Sequence, residues 1–313
     1  MTTYKLHSLT SHVDAAAAVH IPDLMSGGDS LEFDIDREVT ANEFFPSHAS
    51  VTEARMSRTL EGYALASLLD LVGLSGLAIT STLNPGVLFT FQQFDTLGQA
   101  AAGSVHRTLT IKSGWLIPRT LTVDHRGHAA LTVEAVAIKP AASDAVVISD
   151  VAALPTIAIA PARWTLGPAS VAGYTLNQYR NFEIDFGLTV TPAGVESDIW
   201  DGHIEVRSQA PTITFTGIAP AWFSATGIPL AGKVATHANT SLVLRKRDGT
   251  GANSGFVSNA TAEHIKFTAA GPATVRQAAS GSAQQATEHS IVVECMKDSA
   301  GNSPIVIDTT ATY

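Results

Sequence analysis

The chain has 313 residues, long enough for one large or two ordinary domains. Its 28 Asp and Glu against 19 Lys and Arg leave a formal net charge of -9, which argues against a protein that grips phosphates by bulk positive charge. Hydrophobic residues at 45% and charged residues at 15% argue against disorder, and the single Cys295 excludes an internal disulfide framework and a multi-cysteine zinc site.

Met1 to Leu9 has one lysine and no apolar segment, so no secretion signal is expected. No apolar run approaches the roughly 20 residues of a membrane helix. Folding in a reducing compartment, without metal staples, is the expectation. The Ala-rich piece Asp14 to His20 reads as a short helix capped by Asp14. In Phe33-Asp34-Ile35-Asp36 the alternation predicts a strand, with Phe33 and Ile35 on the core face and Asp34 and Asp36 on the other. Leu65, Leu68, Leu69 and Val72 fall at i, i+3, i+4 and i+7 and predict a helix over about Glu61 to Val72, stopped by Gly73.

Strand alternation then dominates. Leu109 and Ile111, Leu121 and Val123, and Leu131 and Val133 each alternate with polar residues. Asp124-His125-Arg126-Gly127-His128 falls between two such strands and reads as a turn; metal binding there needs further ligands. Lys139 to Ala169 carries Pro140, Pro155, Pro161 and Pro168 and is too apolar for a solvated linker. It is either a connector lying across a neighbouring domain or subunit, or one or two edge strands at a domain boundary.

Phe182, Ile184 and Phe186 alternate with Glu183 and Asp185, and Ile213 and Phe215 alternate with threonines. Gly249 to Gly255 is glycine-rich, but a phosphate cradle needs a helix opening directly after it, and Phe256-Val257-Ser258 reads as loop or strand. It is read as a hairpin tip. Ile265 and Phe267 begin another strand, and Cys295 among apolar neighbours reads as a buried structural thiol.

The two halves resemble each other. Phe33 to Asp36 matches Phe182 to Asp185, Thr59 to Gly62 matches Thr214 to Gly217, and Ile111-Lys112 matches Ile265-Lys266. Leu131 to Ile138 matches Ser290 to Met296. The four matches occur in the same order, with spacings that drift from 149 to about 160 residues, as loop insertions cause. Domains are therefore expected at 1–150 and 180–313, with a connector at 151–179.

Catalytic signatures are missing: there is no G-x-S-x-G elbow, no H-E-x-x-H and no Walker loop. No catalytic residue, metal site or cofactor is assigned. Trp115, Trp164, Trp200 and Trp222 lie near turns or strand ends and are candidate core or interface anchors, with a sugar-stacking platform as the alternative.

The stretches FEIDFGLTVTPAGVESDIWDGHIEVRSQAPTITFTG and AEHIKFTAAGPATVRQAASGSAQQATEHSIVVEC resemble the major tail tube proteins of long-tailed bacteriophages. The resemblance covers the chain from about Arg180 on, and reaches the N-terminal half through the duplication. It implies a mainly β chain of two tandem β-sandwich domains, each with a small flanking helix. It implies trimeric rings of pseudo-sixfold symmetry stacked into a tube in the virion tail, assembled in the host cytoplasm. Its partners are then further copies of itself, a tape measure protein, tail-terminator and tail-tip proteins, and double-stranded DNA passing through without specific binding. No membrane contact is implied. Asp34, Asp36, Glu183 and Asp185 become lumen-lining candidates, because a negative wall lets DNA slide. One departure is that APAWFSATGIPLAG, which follows Thr214 to Gly217, holds Pro220 and Pro229 where the first half has its helix. The rival readings are a tail-tip or decoration protein with tandem sandwiches, and a carbohydrate-binding module or an enzyme on a β-sandwich.

Overall fold

The computed structural model describes residues 3–11, 19–21, 24–38, 48–79, 86–95, 103–139, 144–151, 153–156, 162–194, 199–218, 233–236, 240–248, 255–269, 271–280, 288–297 and 300–313. The chain is mainly β. Its first half runs β1 (Thr3–Ser11), β2 (Val19–Ile21), β3 (Leu24–Glu38), β4 (His48–Gly62), α1 (Leu65–Val72), β5 (Leu77–Ile79), β6 (Val87–Phe94), β7 (His106–Ile111), β8 (Gly114–Asp124), β9 (Ala130–Ala137) and β10 (Val146–Val151). The second half runs β11 (Trp164–Val171), β12 (Tyr174–Thr175), β13 (Tyr179–Asp185), β14 (Leu188–Gly194), β15 (Asp201–Gln209), β16 (Thr212–Gly217), β17 (Lys233–Thr236), β18 (Ser241–Lys246), β19 (His264–Ala269), β20 (Pro272–Ser280), β21 (Glu288–Cys295) and β22 (Ile305–Ala311).

All named pairings are antiparallel. One five-stranded sheet has the order β10-β7-β6-β1-β2 and another β12-β11-β18-β19-β22. A larger sheet runs β17-β20-β21-β16-β13-β8-β9-β4-β3, with β5 also on β8. β14 and β15 pair as a separate two-stranded arm; the buried faces of the other three sheets meet in one apolar cluster that includes Phe89, Leu60 and Leu121 from the first half and Phe182, Phe215 and Phe267 from the second. Period-two burial explains the strands directly: in β16 Ile213 and Phe215 are buried between half-buried threonines.

The pairing pattern occurs twice. Reversed, the second five-stranded sheet reads β22-β19-β18-β11-β12, the same order as β10-β7-β6-β1-β2 shifted along the chain. The run β3-β4-β9-β8 with β5 on β8 recurs as β13-β16-β21-β20 with β17 on β20. The hairpins agree in register at both ends. Leu24 lies opposite Gly62 and Tyr179 opposite Gly217; Phe33 lies opposite Ala54 and Leu188 opposite Gln209. Even an irregularity is shared, between Asp34 and Ile35 in one hairpin and between Thr189 and Val190 in the other.

This register corrects three of the sequence matches. Phe182 to Asp185 lies beside Phe215 to Thr212, and the first-half residues in that place are Ser26 to Ser30. Phe33 to Asp36 corresponds instead to Leu188 to Thr191, so the two carboxylate pairs are not counterparts. Ile265 corresponds to Arg107, and Glu134 corresponds to Val292. Two elements also differ from expectation. The helix begins at Leu65, because Glu61 and Gly62 still pair with Thr132 and Leu131. Val19 to Ile21 is strand, and 14–18 lies outside the described residues. Of the stretch between the halves, read as either a connector or edge strands, β10 lies at the edge of one sheet, and β11 and β12, the latter an edge strand, belong to another. The β11–β12 turn is two residues, Ala172 and Gly173, at φ 52° and 81°; this left-handed pair matches the twist of a tight hairpin.

The α1 stripe behaves as its spacing requires. Leu65, Leu68, Leu69 and Val72 are buried, and the Gly73 N–H donates to the Leu69 carbonyl at 2.8 Å. Phe182 sits on the strand that joins the halves, with its ring 5.4 Å from Phe215 and 6.4 Å from Phe267. Phe182→Ala is expected to lower stability by about 3–5 kcal/mol. Because one sheet spans both halves, urea denaturation followed by circular dichroism should show a single transition shifted as a whole, rather than loss of one half.

Candidate functional site

The halves are joined by β13 lying against β8, with Asn181 opposite Asp124 and Asp185 opposite Thr120. Only part of β8 takes β13, because Gly114 to Leu116 is already covered by β5. At the junction Asn181 Nδ2 donates to Asp124 Oδ1 at 2.6 Å, and the Phe186 N–H donates to the Arg119 carbonyl at 3.0 Å.

Beyond the junction the β14–β15 arm folds over the first half. The Ala54 N–H donates to the Ile199 carbonyl at 2.6 Å, and the Lys139 N–H to the Asp201 carbonyl at 2.9 Å. Arg119 anchors the base of the arm. Its Nε donates to Glu134 Oε2 at 2.6 Å and its Nη1 to the Leu188 carbonyl at 2.7 Å. Under the arm Ile117, Val136 and Leu188 are buried together, with Trp115, Val190 and Ile204 packed around them. On the other side of the junction α1 touches β22, and Thr309 Oγ1 donates to Asp70 Oδ1 at 2.7 Å.

Three of the four tryptophans are described. Trp115 lies under the arm, and Trp200 bridges to Ala54, so both sit where the halves meet. Trp164 is buried; its Nε1 donates to the Glu263 carbonyl at 3.2 Å, and its carbonyl accepts from the Ala129 N–H across the halves at 2.8 Å. Trp222 lies outside the described residues. Of the four carboxylates, Glu183 and Asp185 are exposed on the face of the large sheet away from the core, next to Thr122 and Thr214. Asp34 and Asp36 lie further out on the β3–β4 hairpin, level with Thr189 and Thr191, and their side chains are outside the described residues.

Two histidines the sequence analysis did not single out occupy corresponding places in the halves. His106 Nδ1 accepts the Gln93 N–H at 3.2 Å, and His264 Nδ1 accepts the Lys246 N–H at 3.1 Å. His264 Nε2 then donates to the Ser258 carbonyl at 3.0 Å, which fixes its tautomer. The signal was present as His-x-x-Leu-Thr and His-x-x-Phe-Thr at the starts of β7 and β19. Cys295 is buried, and that burial pushes its thiol up to about 12, so it is an inert core group.

The junction also leaves its own counterparts open. In the second half β20 corresponds to β8, and Pro272 to Val275 is covered by β17 as Gly114 to Leu116 is by β5. Among the described residues no strand pairs with Arg276 to Ser280 on the edge away from β21, and none pairs with β3 on the edge away from β4. These are the two strand edges that β8 and β13 use against each other. No known protein family matches the chain, and no curated protein matches it either.

Arg119→Ala is expected to cost about 1–3 kcal/mol, since the Leu188 carbonyl loses its partner and Glu134 its counter-charge. Limited proteolysis should then cut within 188–209 faster than in the parent chain, while cuts elsewhere keep their rates.

Proposed function

We propose that the chain is a structural subunit that assembles head to tail into rings and stacks into a tube, as a major tail tube protein of a long-tailed phage does. The observation that carries this reading is the junction between the halves. One chain contains a single β8–β13 contact and presents the corresponding β20 and β3 edges at opposite ends of its large sheet. Repeating the same contact between copies joins β20 of one to β3 of the next. Such a contact is heterologous, and it closes into a ring when its rotation divides a full turn. Each chain, read as two tandem β-sandwich domains, supplies two equivalent wall segments, so three chains give the pseudo-sixfold ring of the duplicated tube proteins.

In this reading the non-core face of the large sheet lines the channel. Thr122, Thr214 and Thr216 give it hydroxyls, and Glu183 and Asp185 give it exposed carboxylates. Arg119 and Arg276 on the same sheet are each paired with a glutamate, Glu134 and Glu294. A wall of hydroxyls and carboxylates repels phosphates and lets a duplex slide without binding. The chain then acts without catalysis or cofactor, in the virion tail, with the tape measure inside during assembly and terminator and tip proteins at the ends.

Negative-stain microscopy of the purified chain is expected to show rings or tubes, with three chains per ring in helical reconstruction. A monomer that never polymerises at high concentration rejects the reading, and six chains per ring rejects the duplicated-domain part. A tail-tip or decoration protein gives single rings or caps in the same images.

Glu183→Lys combined with Asp185→Lys is expected to leave folding and ring formation intact, because exposed charges contribute little to stability. A phage carrying the doubly substituted chain should assemble full-length tails yet eject DNA slowly, seen as a fall in plating efficiency with normal particle counts.

A further inference from the structure

One apolar residue is uncovered where its counterpart in the other half is covered. In β22 Ile305 is buried and Ile307 is half-buried against the core, and α1 of the first half lies against this strand. The hydrogen bond from Thr309 to Asp70 holds that contact. The corresponding strand is β10. Val146 lies opposite Ile111 and Ile148 opposite Leu109, as Ile305 lies opposite Ala269 and Ile307 opposite Phe267. Ile148 therefore holds the place of Ile307, yet it is 58% exposed. The next residue along is a control: Val147 and Val306, on the opposite face, are exposed in both halves at 36% and 50%. The difference is confined to the face that α1 covers in one half only.

We infer that the Ile148 face of β10 is a docking surface for a second copy of this chain, taken by that copy's segment 219–232. This rests on the head-to-tail ring reading. Within a chain the helix of the first half covers the last strand of the second half. Repeated between chains, the segment that follows β16 in one copy covers β10 of the next. Segment 219–232 occupies the chain position of α1, between β16 and β17 as α1 lies between β4 and β5. It brings Trp222, Phe223, Ile228 and Leu230, side chains able to cover an exposed isoleucine. The proposed occupant holds the same place in the chain repeat as the helix that covers the counterpart strand β22.

The test is Ile148→Asp in the full-length chain, with Ile148→Leu and Trp222→Ala beside it. Ile148 is already in water, so the aspartate variant is expected to keep the parent circular dichroism and urea midpoint. Assembly, followed by sedimentation velocity and microscopy, should need at least about tenfold more protein for Ile148→Asp. Ile148→Leu should assemble as the parent does, and Trp222→Ala should be weakened. Parent-like assembly of Ile148→Asp overturns the inference while leaving the ring reading standing. A parent chain that stays monomeric overturns both. Should the aspartate variant misfold, Ile148→Cys labelled with a polar maleimide after folding gives the same comparison, and unchanged assembly of the labelled protein overturns the inference.

Discussion

Five residue pairs, Asn181 to Asp185 against Asp124 to Thr120, decide how everything else in this molecule is arranged. They turn two separate sets of strands into one continuous sheet. Because antiparallel pairing fixes both direction and register, those few bonds set where the second half begins relative to the first. The arm that continues from β13 then has no choice but to cross β8, β9 and β4. The last strand, β22, arrives against α1. The junction is extended backbone pairing reinforced by side chains, and it explains why one apolar cluster runs through both halves.

The same surface has a different chemistry in each half. Under the arm, Trp115, Ile117 and Val136 make an apolar contact. Their counterparts on β20 and β21 are Thr274, Arg276 and Glu294, held by an ion pair and a hydroxyl-to-carboxylate bond. A contact formed once, during folding, is free to be apolar. A surface left in water is kept soluble by charge. Buried Arg58 shows the opposite solution: its guanidinium lies 5.0 and 4.8 Å from the Phe89 and Phe91 rings, in a place where the second half has Ile213.

Much of the local structure was legible. The α1 stripe, the Asp124 turn, closed by a Gly127 N–H donating to the Asp124 carbonyl at 3.0 Å, and the threonine-rich strands all follow from spacing and turn chemistry. The existence of a repeat was legible too, but apart from Thr59 to Gly62 against Thr214 to Gly217 its alignment was not. Strands alternate with period two, so any two β-rich segments match again after a shift of two, four or six residues. Phe33 to Asp36 matched Phe182 to Asp185 on that basis, although pairing places Leu188 to Thr191 there. Register belongs to the partner strand, and partners lie far off in sequence. The contrast between exposed Ile148 and half-buried Ile307 was invisible for the same reason, since it depends on which strands pair and on what lies against β22.

Joining two similar halves in one chain also changes the arithmetic of building anything larger. Each β8–β13 junction forms as the polypeptide folds, at the effective concentration set by a short tether instead of by free encounter. Every such union spares the roughly 4–15 kcal/mol of lost translational and rotational freedom that a separate partner would forfeit. In the proposed ring of six similar segments, three unions would be inherited from translation and three left to collision. The inherited ones would also act as a template, carrying the curvature that the remaining three have only to copy.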